Sequence, residues 1–365
     1  MLRKVLKYVG ITLVCLVVLL FSAAFSYRAY LQNEVGEQRA ITSSNGIDSL
    51  EPVTIGGIQQ WIEVRGQNVD NPILLFIHGG PGIAFIPLAG AFQGPWEQYF
   101  TVAQWDQRGA GKTYASNDRD VLRKTMTVAQ MQQDTIEVAN YLRRRFKREK
   151  IFVVGHSWGS VLGLWLAHEH PELVSAYVGT GQVVNMAQND EVGYRDALEQ
   201  ARKVHNQQAV HELESIVPYP APVPDFGKEQ IARRWEGELL APPPNGVSFT
   251  DGGRILTSVF SAPEYSLRDD YSFLQGMSFS VNVFFPQLAN VDLTKLGFEF
   301  RVPIIFFEGR HDQYCRSSLI WDYSQRISAP HKEFVWFERS GHFPFYEEQQ
   351  KFAEELRDRV LPLAK

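Results

Sequence analysis

The chain has 365 residues, 44% of them hydrophobic and 21% charged, which is enough apolar material for a large core and excludes a disordered chain. A net charge of −5, from 36 basic and 41 acidic residues, excludes the broad positive surface that nucleic acid requires. With only Cys15 and Cys315, neither a disulfide scaffold nor a multi-cysteine zinc site is available.

Arg3, Lys4 and Lys7 precede an uncharged apolar run from Tyr8 to Phe25. Its length suits a short membrane span, and the basic residues in front place its start in the cytoplasm and the remainder outside. A cleaved signal peptide is the alternative, with Ser22-Ala23-Ala24 as the cleavage region and secretion as the outcome. Residues 1–31 are therefore read as an anchor or signal segment lying outside the fold. They hold Arg3, Lys4, Lys7 and Arg28 and no acid, so the remainder carries −9. Residues 32–52 are polar and read as a tether.

From residue 53 strand-like and helix-like runs alternate. Val53–Ile55 and Gln60–Val64 read as an antiparallel start around Gly56-Gly57. Ile73–Ile77, Tyr99–Trp105, Ile151–Val154, Leu173–Val178, Pro303–Phe307 and Glu333–Phe337 read as further strands. Thr127–Phe146, Val161–Ala167 and Gln349–Val360 have helical spacing, with Thr127 as a cap. Such alternation predicts an α/β fold with a mainly parallel sheet flanked by helices. Residues 53–182 and 297–365 are two parts of one core. Residues 183–296, with helical runs, two proline clusters (Val217–Pro224 and Pro242–Pro244) and many aromatics, form an inserted, mostly helical cap.

Gly155-His156-Ser157-Trp158-Gly159 fits G-x-S-x-G between an apolar strand and a helix. That context is the sharp turn that lifts a serine hydroxyl above a sheet. A serine hydroxyl needs a base, and the base an orienting acid, in the chain order Ser, Asp, His for this fold. Asp312 and His342 each follow a predicted strand, where α/β sheets carry their sites. Asp292, in the cap, and Asp322, in a predicted helix, are the competing acids. His78-Gly79-Gly80-Pro81-Gly82 follows another strand, and its backbone N–H groups, with that of Trp158, suit a developing oxyanion. His78 itself reads as a loop-shaping hydrogen bonder.

These motifs, with WDQRGAGKT at 105–113, GRHD at 309–312 and GHFP at 341–344, resemble the α/β-hydrolase family of prolyl (proline) iminopeptidases. The resemblance runs from about residue 52 to the C-terminus, more closely in the core than in the cap. It implies a serine aminopeptidase that releases an N-terminal residue, typically proline, without a cofactor. It assigns Ser157 as nucleophile, Asp312 and His342 as its partners, and Gly80 and Trp158 as the oxyanion hole. Family caps carry W-x-x-W-E, whose glutamate helps bind the substrate amine. Here Trp235-Glu236 keep the final pair as substrate-binding residues, and Ala232 replaces the first tryptophan. His156 also replaces a glycine often seen before the nucleophile.

The partners expected are a small peptide or ester substrate and, through the N-terminal segment, the membrane. Two other functions fit the same fold: a carboxylic ester or lipid hydrolase with the same triad, and a non-catalytic receptor. Other signals are discounted. Gly109–Thr113 lacks the glycine at position 106 that a phosphate loop needs, and reads as a structural turn. His168 and His170, two apart, do not face each other on a helix, so they form no zinc motif. The basic run Arg143–Arg148 reads as a helix C-terminus, where cations suit the dipole, and Cys315 as a packed thiol.

Overall fold

The computed structural model describes residues 2–240 and 252–364. Its strands are β1 Ile47–Ile55, β2 Ile58–Gly66, β3 Ile73–Ile77, β4 Thr101–Asp106, β5 Ile151–His156, β6 Val174–Thr180, β7 Ile304–Gly309 and β8 Lys332–Phe337. They form one sheet in the order β1-β2-β4-β3-β5-β6-β7-β8. The hairpin β1–β2 and the pair β2–β4 are antiparallel, and the strands from β4 to β8 run parallel. β3 and β5 are wholly buried because apolar clusters cover both faces of the sheet, which is why ILLFI and IFVV show no alternation. After β3 the chain steps to β4 on one side, then crosses to β5 on the other. The order thus reverses at β3, and the crevice above the ends of β3 and β5 is where such a sheet places a ligand.

Between β6 and β7 the chain inserts helices Met186–Lys203, Gln207–Ser215, Phe226–Leu239, Gly252–Ser261 and Leu267–Leu288. The first three form a small core of their own around Ala197, Leu213, Ala232 and Trp235. The long helix Leu267–Leu288 begins with a capping box at Ser266 and Asp269 and packs Phe284, near its far end, on Trp158. The proline cluster at 242–244 lies outside the described residues.

Two expectations about the N-terminus are corrected. Helix Leu2–Gln38 is continuous and β1 begins at Ile47, so residues 32–52 are helix, a short link and strand rather than a polar tether. Nor does the segment 1–31 stay outside the fold. Arg28 is buried and pairs with Asp270 at 3.0 Å, Gln32 donates to the carbonyls of Ala262 and Tyr265, and Arg39 pairs with Glu264. Up to residue 26 the helix is exposed and apolar enough to cross a membrane. β1 is longer than the expected Val53–Ile55: it is an edge strand whose apolar residues are interrupted by Asp48, Ser49, Glu51 and Pro52, so its first part shows no apolar run.

Gly109–Thr113 forms a turn and the start of a short helix, Gly111–Ser116. Beside it Arg108 and Asp134 form a fully buried ion pair, with Nε 2.9 Å and Nη2 3.1 Å from the carboxylate. Gln60 and Gln130 donate to the same carboxylate. Arg108→Met is expected to lower stability by about 3–5 kcal/mol, because Asp134 is left charged and unpaired in the core. A denaturant midpoint in detergent checks this, and a loss below about 1 kcal/mol would make the pair energetically neutral. The basic run ends helix Val128–Phe146, as expected, with Lys147 left-handed at its cap. Arg145 is engaged by Glu51 and Ser49, and Arg143 by Asn140.

Candidate active site

Ser157 follows β5 at φ 53° and ψ −121°, a conformation that side chains rarely adopt, and opens helix Trp158–Glu169. The turn is tight enough that a Cβ on Gly155 would lie 2.8 Å from the Gly159 carbonyl oxygen, and one on Gly159 would collide with the carbonyl of Ile77. Strand pairing of Ile77 with Gly155 sets the loop 78–82 beside the serine.

His342 and Asp312 are both buried, and His342 Nδ1 donates to Asp312 Oδ2 at 2.8 Å. Asp312 Oδ1 accepts from the backbone N–H groups of Tyr314 and Cys315 at 2.8 and 2.9 Å. One carboxylate oxygen is thus held by the backbone and the other aims at the imidazole. The proton on Nδ1 leaves the Nε2 lone pair available, the form a general base needs. The competing acids do other work. Asp292 caps a short helical turn and bonds Thr294, and Asp322 sits in helix Ser317–Arg326. His311 bonds the Glu338 carbonyl.

Ser157, His342, Gly80 and Trp158 line one cavity of about 160 Å³, completed by Val161, Val183, Met186, Arg233, Leu288, Val291, Tyr314 and Cys315. An apolar cavity of about 150 Å³ holds one benzene-sized ring, so this space suits a single small side chain. Burial and the charge of Asp312 push the Cys315 thiol well up, so it remains protonated. Asp312, Cys315 and His342 present ligand atoms within 4.8 Å of one another. Two of those atoms already share the Asp312–His342 hydrogen bond, and the third is held as a thiol.

In the layer that supports the site, only His78 was read from the sequence, as a loop-shaping hydrogen bonder. His156 Nε2 donates to the His342 carbonyl at 2.9 Å, and burial, with His342 adjacent, drives its pKa well down, so it stays neutral. His78 bonds the Gly79 carbonyl at 2.8 Å and accepts from Gln107 N–H, and burial lowers it to about 4. Gln107 in turn accepts from the Trp158 indole at 3.1 Å and donates to the His78 carbonyl. Glu308, buried beneath the Asp312 loop, accepts from the N–H groups of Gly181 and Gln182, and burial beside Asp312 raises its pKa well above normal. Glu347 and Glu348 hold the loop before His342 through Gly341 N–H, Arg339 N–H and the Ser340 hydroxyl.

In the cap the pair Trp235-Glu236 divides. Consecutive helical positions point about 100° apart, and Trp235 turns into the cap core, where its indole donates to Glu212. Neither Trp235 nor Glu236 lines the cavity; of this helix Arg233 does. Glu236 faces the other way and accepts from Arg233 at 3.2 Å and Arg316 at 3.0 Å. Arg233, one wall of the cavity, also bonds Glu229 at 2.7 Å and Asp190. Three carboxylates thus surround two guanidiniums. Burial raises Glu236 above its usual range and Asp190 to about 7, against the pull of Arg233. Glu236 Oε1 is buried without a hydrogen-bond partner. Of this cluster only the motif's glutamate was legible, because Asp190 and Arg316 come from two other segments of the chain.

Residues 72–216 match the family model described as alpha/beta hydrolase fold. The chain is 31% identical over 322 residues to a probable aminopeptidase, YbaC, of Bacillus subtilis (strain 168), covering 87% of this chain and 97% of that protein. Among solved structures it resembles a proline iminopeptidase-related protein of Thermus thermophilus, with a TM-score of 0.58 at 20% identity, over 87% of this chain and 99% of that one. It also resembles the structure of a membrane phospholipase A over 100% of this chain and 99% of that one, with a TM-score of 0.58 at 18% identity. At such identities the two structures speak for the fold alone.

Proposed function

This chain is a hydrolase that belongs to the α/β-hydrolase family, among its proline iminopeptidase-like members, and on that premise we propose that it is a serine aminopeptidase acting on small peptides. The observation that carries this reading is the Asp312–His342 hydrogen bond beside a cavity that Ser157 also lines. His342 Nε2 takes the proton of the Ser157 hydroxyl as the oxygen attacks the substrate carbonyl. The N–H groups of Gly80 and Trp158 receive the oxyanion, the latter at a helix N-terminus. His342 then gives its proton to the leaving amine, an acyl-enzyme on Ser157 remains, and water releases it by the same steps reversed.

The surplus carboxylate of Asp190, Glu229 and Glu236 favours a cation, and a substrate's protonated N-terminus would supply one beside Arg233. The small cavity favours a single amino-acyl side chain over a long acyl chain. Glu236→Gln is expected to raise KM for an amino-acyl amide about tenfold, equivalent to about 1.4 kcal/mol, and to leave its N-acetylated twin unchanged. A wild-type preference for the blocked twin, unaffected by Glu236→Gln, would transfer the reading to an ester or lipid hydrolase.

Asp190 adds a pH signature. Above about 7 it is ionised and attracts the amine, and below that it is neutral. KM for the free-amine substrate should therefore rise as pH falls through 7, while KM for the blocked twin stays level. Parallel profiles for the two would remove Asp190 from amine binding.

Helix Leu2–Gln38 is proposed to anchor the enzyme, with Arg3, Lys4 and Lys7 in the cytoplasm and the catalytic part outside. Protease added to spheroplasts should then degrade the catalytic part, whereas protection would reverse the orientation.

A further inference from the structure

The apolar run of the N-terminal helix ends at Phe25, and its first docked side chain follows at Arg28. At about 1.5 Å per residue, Arg28 lies roughly 5 Å beyond that end. Its guanidinium reaches Asp270 at 3.0 Å, the Tyr265 carbonyl at 2.9 Å and the Phe260 carbonyl at 3.0 Å. One turn on, Gln32 donates to the carbonyls of Ala262 and Tyr265 at 2.7 and 3.0 Å. The start of helix Leu267–Leu288 is therefore tied to the place where the apolar run stops.

Beside Asp270 that helix exposes Leu267, Tyr271 and Leu274, which are 43%, 65% and 42% accessible. Their spacing of four and three sets them on one helix face, with Asp270 at its edge. Tyr27 and Tyr30 are exposed on either side of Arg28. Tyrosine, with an apolar ring and a polar tip, concentrates at the membrane–water boundary. We infer that the Leu267–Tyr271–Leu274 face of the cap rests in the interfacial layer of the bilayer crossed by the N-terminal helix. The occupant is lipid because Arg28, which holds Asp270, is itself about one turn from the end of the spanning run. A stripe of this kind in open water would be an apolar patch without a partner.

The contact bears on the site, because the far end of the same helix covers it. Ser280 donates to the Gly109 carbonyl at 3.0 Å, Phe284 packs on the Trp158 indole at 5.2 Å, and Leu288 walls the cavity. Lipid at one end and the catalytic cavity at the other are joined by one continuous helix.

This inference rests on the proposed membrane insertion of the N-terminal helix, and the test separates the two. Full-length protein lacking its native thiols (Cys15→Ser, Cys315→Ser) is reconstituted into phosphatidylcholine–phosphatidylglycerol vesicles. Spin labels are placed singly on Leu13→Cys, Tyr271→Cys and Glu169→Cys, the last at the helix end away from the site. Accessibility to oxygen, which partitions into lipid, is compared with accessibility to a water-soluble nickel chelate. The label at 271 is expected to favour oxygen several-fold over the label at 169, though less than the label at 13. If position 13 reads as lipid and position 271 matches position 169, the cap contact is overturned and the anchor stands. If position 13 reads as water, both fall.

Discussion

Ser157→Ala is expected to lower kcat for amino-acyl amide hydrolysis by about 10⁵-fold or more, since a serine nucleophile acts as a unit with its base and acid. The fold should survive. The helix that Ser157 opens is anchored by buried residues such as Val161, Leu162 and Leu164, and the Ser157 N–H bond to the Thr180 carbonyl belongs to the backbone. An unchanged melting temperature beside lost turnover separates chemistry from folding. A variant keeping more than about 1% of the wild-type rate would mean that another group attacks the carbonyl.

Asp312→Asn is expected to cost about 10⁴-fold in kcat at neutral pH with little effect on stability. The geometry gives the reason. The backbone N–H groups of Tyr314 and Cys315 donate to one carboxylate oxygen, so the carboxamide of asparagine would turn its oxygen toward them. Its NH₂ group would then face His342 Nδ1, which has to accept. The imidazole proton moves to Nε2, the atom that must take the serine proton, and the base is lost. A loss below about tenfold would show that the imidazole tautomer does not depend on Asp312.

The sheet and the core of the site were legible because each rests on local sequence. Buried strands are short apolar runs, and the turn at Ser157 needs glycine at positions close enough to touch. Asp312 and His342 are found by following strands to their C-terminal ends. What escapes depends on distant partners. The first part of β1, residues 47–52, is largely half-exposed and reads as the end of a polar tether. The helix past residue 31 is held by cap residues more than 200 positions away, so its polar composition alone suggests a tether. Trp235 and Glu236 are neighbours in sequence but face different sides of one helix, and the motif alone does not say that Arg233, between the cavity and Glu236, is the residue of this helix that lines the cavity. His156, in sequence only a departure from the family pattern, has a partner in the His342 backbone.

The central claim is that Ser157 is made nucleophilic by His342 and Asp312. The most direct measurement is reaction of the full-length protein in detergent with a fluorophosphonate, followed by intact mass and peptide mapping. One adduct is expected, on Ser157, absent in Ser157→Ala and formed far more slowly in Asp312→Asn. A folded, hydrolytically active protein that forms no adduct, or carries it on another residue, would contradict the claim.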